Sequence, residues 1–243
     1  MRYYQIEDLK EFASRYFTRW GVSEEDAEIT ADVLVSADAR GVDSHGLTRL
    51  QNYYGSRLES GLTNPRAALT TLKETPTTLS LDAHNGLGHP AGVKAMRMCI
   101  EKARNAGLAM ATVRNSNHYG IAGYYAMMPL SEGMIGISLT NSAPLVAPTH
   151  GRKAMLGTNP IAVAVPAGGA RPYVLDMATS IVPIGRITVY QKEGRSIPAG
   201  WGINSEGDVT EDPSRVVEGG ALMPLGGPEL LRGYKGYGLA LLV

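Results

Sequence analysis

Residues 77–83 read TTLSLDA and residues 108–113 read LAMATV, and these two short runs flank a much longer stretch with a different pattern. The alternation and the β-branched residues of both runs predict strands. Residues 90–104, which lie between them, have the three-to-four residue apolar spacing of a helix. The sequence therefore predicts a βαβ-like unit, and an α/β fold class for the chain.

Towards the N-terminus the pattern is helical. Apolar residues from Ile6 to Phe17 repeat at helical spacing, which predicts one helix with a buried face. Ser23, followed three residues later by Asp26, resembles a capping box and predicts a second helix that ends at Gly41. A third amphipathic run follows Gly46, so we expect His45 to lie at a helix start.

Towards the C-terminus we predict one helix and several strands. The helix covers residues 120–130, and the strands cover 134–140, 161–165 and 173–175, with a further strand near 186–190. Residues 197–227 are rich in Gly, Pro, Asp and Asn, which predicts a long surface excursion. The final run, residues 236–243, opens an apolar helix without a cap or polar tail, and we expect the chain to be C-terminally incomplete.

Composition narrows the function classes. The 23 basic and 23 acidic side chains balance, so no long-range field recruits nucleic acid or an anionic membrane. Cys99 is the single cysteine, which excludes a disulfide framework and a cysteine-rich zinc site. No apolar run reaches the length of a membrane span, and the first residues lack the apolar region of a signal peptide. We therefore expect a cytoplasmic protein without a metal, since His84 and His89 also lack a metal-ligand spacing.

Residues 43–49 read DSHGLTR and combine an imidazole, a hydroxyl and a guanidinium in one short segment. His45 can exchange a proton near neutral pH, Ser44 can orient it or the substrate, and Arg49 can present a planar fork to a carboxylate. The alternative is structural: Asp43 or Ser44 caps the following helix, and His45 is only a satisfied polar residue.

Residues 115–120 read NSNHYG and follow a predicted strand directly. Binding groups in α/β proteins commonly occupy this position, and His118 is an acid/base candidate there. The alternative is a polar turn whose Asn side chains bond to their own backbone.

Three further segments suggest or exclude nucleotide chemistry. Residues 86–92, GLGHPAG, follow a strand, but the third glycine is one place late for a Rossmann fingerprint, so we interpret them as a loop. Asp176 ends an apolar strand, where it can hold a ribose hydroxyl or cap the next segment. Lys235 lies among glycines before an apolar helix, which suits a phosphate but is not a Walker A sequence. No G-x-S-x-G elbow occurs, which makes a hydrolase a minor alternative.

Taken together, five motifs resemble the malate/L-lactate dehydrogenase family that is distinct from the Rossmann-type enzymes. They are DSHG at 43–46, NHYG at 117–120, GTNP at 157–160, LDMATS at 175–180 and KGYG at 235–238. Residues 115–128 and 180–201 look most similar to archaeal and bacterial malate dehydrogenase members. The resemblance runs from the N-terminal helices to Val243, and relatives continue for roughly a third more chain.

The resemblance implies a mixed-sheet nucleotide-binding fold of the L-sulfolactate dehydrogenase-like type, not the Rossmann type, with an N-terminal helical region. Residues 1–75 would form a substrate and dimerisation region, and residues 76–243 a dinucleotide-binding region that is incomplete at its C-terminus. His45 resembles the proton donor/acceptor, with Ser44 as its partner and Arg49 as the carboxylate clamp. His118 resembles an active-site residue without a single role. The positions that resemble cofactor contacts are His118, Tyr119, Gly120, Ile121, Ala122, Ser142, Asp176, Met177, Ala178 and Lys235.

The implied activity is hydride transfer between NAD or NADP and a small 2-hydroxy or 2-oxo acid, with malate and oxaloacetate first, in a homodimer. Lactate, sulfolactate and ureidoglycolate dehydrogenases, and reductases of imino or oxo acids, are alternatives within the family. An inactive cofactor-binding fragment or interaction subunit is the alternative from another class.

Overall fold

The computed structural model describes residues 3–169 and 171–243, which form an α/β protein of two compact units. Unit 1 comprises residues 1–136 and 165–172, and unit 2 comprises residues 137–164 and 173–243. The division predicted near residue 75 concerns function, with a substrate region before it and a dinucleotide region after it, and it stays a prediction.

Unit 1 begins with two helices that pack on each other, as predicted. Ser23 Oγ accepts a hydrogen bond from Asp26 N and caps the second of them. Phe17 and Leu34 are fully buried in the apolar cluster between these helices. The helices and strands of unit 1 are α1 Ile6–Arg19, α2 Glu24–Ala39, α3 Ser56–Glu59, β1 Thr70–Glu74, β2 Thr78–Gly86, α4 Gly88–Ala106, β3 Met110–Ser116 and α5 Ala122–Met127.

The βαβ unit predicted from residues 77–113 is confirmed. Strand β2 pairs in parallel with β3, with Leu81 opposite Val113, and α4 connects them. Strand β1, for which no strand was predicted, pairs antiparallel with the other edge of β2. Leu79 and Leu81 are buried against α4, which explains the alternation that predicted β2.

Unit 2 holds two three-stranded sheets, in the orders β4-β5-β6 and β8-β7-β9. Its elements are β4 Gly136–Leu139, β5 Ile161–Val165, β6 Tyr173–Met177, α6 Ile184–Lys192, β7 Gly202–Ile203, β8 Val209–Thr210, α7 Pro213–Val217, β9 Ala221–Leu222 and α8 Tyr234–Leu242. The predictions of β4, β5, β6 and the final helix are confirmed.

Two predictions for unit 2 are wrong. The strand predicted near 186–190 is the helix α6, and Ile187 on it is fully buried. The predicted surface excursion at 197–227 instead forms the second sheet and α7, with Ile197 and Leu222 in the core of the unit. Strands of two residues are too short to show the alternation of apolar and polar residues that predicts a strand. The Gly, Pro, Asp and Asn residues around them therefore led to the prediction of a loop.

No helix among the described residues combines the length and the apolar character that a membrane crossing requires.

Candidate functional site

The carboxyl edge of the β2–β3 pair brings two histidines of unit 1 together. Gly86, the last residue of β2, pairs with Ser116, the last residue of β3. His89 is the second residue of the helix that follows β2, and His118 is the second residue after β3. Because neighbouring parallel strands end at the same edge, both imidazoles lie at this edge.

The segment that carries His118 is fixed by side-chain hydrogen bonds. Asn117 Nδ2 donates to Gly86 O at 2.9 Å, and its Oδ1 accepts from Arg57 Nη2 at 2.8 Å. Buried Asp82 accepts from Asn115 Nδ2 at 3.0 Å, and Asn115 has a φ of 50°. Residues 117–120 therefore form a structured loop after β3, and the side chains of Asn115 and Asn117 bond across to neighbouring segments.

Asp82 stays charged through the same contacts. The His84 backbone N–H, the Arg114 guanidinium and the Asn115 amide all donate to its carboxylate and lower the pKa of Asp82 to about 2. A charged acceptor makes these hydrogen bonds stronger than neutral ones.

The segment with Ser44, His45 and Arg49 differs from the prediction. His45 does not begin an α-helix, because residues 43–45 and 47–49 form separate 3-10 turns, followed by a π-helical turn at Leu50–Gly55. The Asp38 carboxylate accepts Leu47 N at 2.8 Å between the turns. The extended backbone of Gly46 interrupts the helix, and a Cβ on Gly46 would lie 1.9 Å from Asp38 Oδ1, so the close approach leaves room for glycine only.

Ser44 contacts both His45 and Arg49. Ser44 Oγ lies 2.9 Å from His45 Nδ1, and Arg49 Nε donates to Ser44 O at 2.7 Å. The His45 ring stacks on the His118 ring with centroids 5.5 Å apart and an interplanar angle of 24°. Two of the predicted catalytic residues, distant in sequence, thus form one pair.

Burial and neighbouring charges keep both histidines neutral. Burial and, to a smaller extent, the nearby His45, Arg49 and Arg57 together lower the pKa of His118 to about 3. Burial also lowers the pKa of His45, with a smaller contribution from Arg49. A neutral imidazole is the form that can accept a proton.

Two guanidinium groups lie beside the histidine pair. Arg49 and Arg57 each lie 5.5 Å from the centroid of the Tyr53 ring. Tyr53 in turn contacts the ring of His118, with centroids 5.2 Å apart. Cations on an aromatic face, beside neutral imidazoles, make this region of unit 1 attractive to an anionic ligand.

Sequence reasoning missed Tyr54, which contacts His118, and His89, which contacts Tyr54. Tyr54 Oη lies 2.7 Å from His118 Nδ1, and His89 Nε2 lies 3.1 Å from Tyr54 Oη. Tyr54 is 2 % exposed and His89 is fully buried. The available signal for His89 was its position directly after one strand of the βαβ unit, equivalent to that of His118 after the other.

Part of the predicted cofactor set lies in unit 1, directly after His118. Gly120 has a φ of 79°, and its N–H donates to His118 Nδ1 at 3.2 Å. The Tyr119 ring stacks on Tyr125 with centroids 4.5 Å apart, and Tyr119 O accepts from the Tyr125 hydroxyl. Ile121 is the N-cap residue of α5 and Ala122 its first residue, so the helix begins two residues later than predicted.

The remaining predicted cofactor residues lie in unit 2. Asp176 and Met177 end β6, Ala178 follows them, and Lys235 is the second residue of α8. Ser142 Oγ accepts a hydrogen bond from Thr158 N at 2.9 Å, and its own N–H donates to Asn159 Oδ1 at 3.2 Å. Asn159 Nδ2 also donates to Ala240 O at 2.9 Å, which ties Ser142 to α8.

In residues 3–169 and 171–243, no group of three or more His, Cys, Asp or Glu side chains is close enough to hold a metal ion.

Comparison with known proteins extends this picture. The sequence profile described as malate/L-lactate dehydrogenase matches residues 4–243. The malate dehydrogenase of Pyrococcus abyssi is 53% identical over 238 residues, which are 98% of this chain and 65% of that protein. The L-sulfolactate dehydrogenase of Methanocaldococcus jannaschii is 42% identical over 237 residues, 98% of this chain and 66% of that protein. The chain thus spans about 65% of the length of these relatives.

Solved structures show the same fold. The crystal structure of malate dehydrogenase from Entamoeba histolytica matches with a TM-score of 0.94 at 41% identity. The match covers 99% of this chain and 68% of that one. The sulfolactate dehydrogenase of Methanocaldococcus jannaschii has a TM-score of 0.89 at 40% identity and covers 98% of this chain and 67% of its own. The predicted L-sulfolactate dehydrogenase-like fold is therefore confirmed, and the chain belongs to the malate/L-lactate dehydrogenase family.

Proposed function

We propose that this protein transfers a hydride between a nicotinamide cofactor and a small 2-hydroxy or 2-oxo acid, with malate and oxaloacetate as the first pair to test. The observation that carries the proposal is the stacked, neutral His45–His118 pair with Arg49 and Arg57 beside it. Malate and sulfolactate dehydrogenases among the relatives support this choice of acids.

The chemistry assigns a role to each group. Arg49 binds the substrate carboxylate, and its bond to Ser44 O holds the guanidinium next to His45. In oxidation, C2 of the acid loses a hydride, and the hydroxyl proton passes to a neutral histidine of the pair. In reduction the imidazolium returns that proton to the new alkoxide. Well-placed acid–base groups contribute roughly 10²–10⁴-fold to such a step.

Dehydrogenases of this family use a nicotinamide cofactor, which supplies or accepts the hydride when bound. The donor set in unit 2 fits such a group: Ser142 and Asp176 offer oxygens to ribose hydroxyls, and Lys235 offers a cation to a phosphate. In unit 1 we propose contacts from residues 118–122. Both NAD and NADP remain within the proposal, and the assay includes each.

We further propose that residues 1–75 bind the substrate and contribute to a homodimer, and that residues 76–243 bind the dinucleotide. Tyr4 and Phe12, which are 65% and 60% exposed, support an interface near the N-terminus. Light scattering on the purified protein tests the dimer. We also place the protein in the cytoplasm, which cell fractionation tests.

The test of function is a matrix of acids against NADH and NADPH, followed at the absorbance of the reduced cofactor. Oxaloacetate, pyruvate, sulfopyruvate and a cyclic imino acid distinguish the members of the family. We expect His45→Asn and His118→Asn each to lower kcat by about 10²-fold or more. His150→Asn is the matched control, because His150 is an exposed loop residue of unit 2 with a φ of 64°, which Asn tolerates. Unchanged kcat in both site variants, or no turnover of any acid, contradicts the proposal.

A further inference from the structure

His118 Nδ1 faces two groups that can donate a hydrogen bond to it, and one of them can only donate. Gly120 N lies 3.2 Å away, and a backbone N–H is always a donor. Tyr54 Oη lies 2.7 Å away, and its hydroxyl can donate to the same nitrogen. Nδ1 must therefore present its lone pair, and the ring proton of neutral His118 lies on Nε2.

His89, which lies on the far side of Tyr54 from His118 in this series of hydrogen bonds, determines which way the Tyr54 hydroxyl points. His89 is fully buried, and burial lowers its pKa well below the ordinary value, so it is neutral. Its Nδ1 is buried without a hydrogen-bond partner among the described residues, whereas its Nε2 lies 3.1 Å from Tyr54 Oη. An orphaned N–H costs more than an orphaned lone pair, so the proton of His89 lies on Nε2 and points at Tyr54. Tyr54 accepts from His89 and therefore donates to His118.

His45 differs from His118 in the partner of its Nδ1. That partner is the Ser44 hydroxyl, which can either donate or accept as its proton rotates. His45 can therefore place a lone pair on Nε2 at one moment and an N–H at the next. His118 lacks this freedom, because protonation of its Nδ1 would aim that N–H at the N–H of Gly120.

We propose that Tyr54 and His89 are positioning residues that, with the Gly120 amide, hold His118 as the Nε2–H tautomer. His118 then donates a neutral hydrogen bond to the reacting oxygen of the substrate, and His45 exchanges the proton. This division of roles rests on the proposed dehydrogenase function, but the tautomer itself does not.

The charged and titratable groups around His118 favour the same neutral state. They come from three segments: His45 and Arg49, then Tyr53, Tyr54 and Arg57, and finally His89 on α4. Arg49, Arg57 and a protonated His45 would each repel a proton on His118.

The first experiment reads the tautomer without activity. Protein labelled with ¹⁵N-histidine is studied near neutral pH by long-range ¹H–¹⁵N correlation, and the signals of His118 are assigned by their loss in His118→Asn. We expect a protonated Nε2 and an unprotonated Nδ1. A protonated Nδ1 overturns the proposal, whether or not the protein turns over any acid.

The second experiment is a double-mutant cycle in the activity assay. Tyr54→Phe keeps the ring packed on Phe17 and removes only the hydroxyl. We expect kcat to fall about tenfold with KM for the acid nearly unchanged, and less than about twofold further when His118→Asn is already present. An equal fall in both backgrounds indicates a merely structural role and overturns the proposal.

Two substitutions of His89 test the hydrogen bonds that run from His89 through Tyr54 to His118. His89→Gln, which retains an N–H donor for Tyr54, should keep most of the activity, whereas His89→Leu should resemble Tyr54→Phe. Tyr124→Phe is the control for loss of a tyrosine hydroxyl in the same unit, since Tyr124 Oη donates to Asp32 at 2.5 Å and not to His118. If Tyr124→Phe lowers kcat as much as Tyr54→Phe does, the proposal fails.

Discussion

Gly88→Ala should displace the segment that carries His118 without touching the histidine itself. Gly88 is the first residue of α4, and a Cβ built on it would lie 2.1 Å from Asn117 O and 2.7 Å from His118 O. Both atoms belong to the backbone, so no flexible side chain can move aside. The segment is also held close to Gly88 by the Asn117 amide, which donates to Gly86 O at 2.9 Å.

The size of the effect follows from these distances. An ordinary carbon–oxygen contact begins at about 3.4 Å, so Asn117 O must retreat by more than about 1 Å. Overpacking of this kind costs about 1–3 kcal/mol, and a displacement of about 1 Å in a catalytic group can cost about 10²-fold in rate. We expect the free energy of unfolding to fall by about 2 kcal/mol, which lowers Tm by roughly 4–8 °C for a chain of this size. We expect kcat to fall by about 10–100-fold.

Thermal unfolding followed by circular dichroism, together with the dehydrogenase assay, measures both effects. Gly185→Ala is the matched control, because a Cβ there meets nothing within 4 Å and the site lies in α6. The control should be neutral, or more stable by up to about 1 kcal/mol. If Gly88→Ala behaves like Gly185→Ala in Tm and kcat, the close approach that we describe is not a constraint on the site.

Three further predictions concern stability. The folded-state pKa of Asp82 is about 2, below the ordinary 3.8. The ionised carboxylate therefore stabilises the fold fully above pH 3.8, and this stabilisation is lost as pH falls through about 2. Asp82→Asn, which also breaks the ion pair with Arg114, should be less stable than the unaltered protein near neutral pH, and its free energy of unfolding should fall less on acidification to about pH 2, as acid titration followed by circular dichroism checks. Ser23→Ala should cost about 1 kcal/mol in urea unfolding, and Ser23→Asp, which keeps a cap, should cost little. Ile187→Ala should cost about 2–5 kcal/mol, whereas Val189→Ala on the exposed side of α6 should change stability by less than about 0.5 kcal/mol; equal effects would contradict the assigned burial.

The sequence predicted the elements whose period is long enough to read. The βαβ unit was found because the β2 and β3 alternation and the helical spacing of α4 each persist for several residues. The helix α6 was predicted as a strand, since Ile187, Thr188 and Val189 are β-branched and favour strands. Burial of Ile187 against the rest of unit 2 outweighs that local preference.

The sequence supplied candidate residues for the site but not their geometry. Ser44, His45, Arg49 and His118 could be selected by chemical type and motif, but nothing in the sequence gives the 5.5 Å between two imidazoles that are 73 positions apart. His89 was set aside as a loop residue, because its role depends on the parallel pairing that brings it to Tyr54.

The π-helical turn at Leu50–Gly55 makes this part of the chain unusually sensitive to length. Its wider turn sets the rotation at which Tyr53 and Tyr54, adjacent in sequence, both contact His118. Deleting one residue from the turn before Tyr53 would shift both tyrosines by one helix position, which in an ordinary α-helix is a rotation of about 100° around the axis. Surface loops usually tolerate insertions and deletions, whereas here a change of one residue in length would separate the tyrosines from the imidazole even if every side chain were retained.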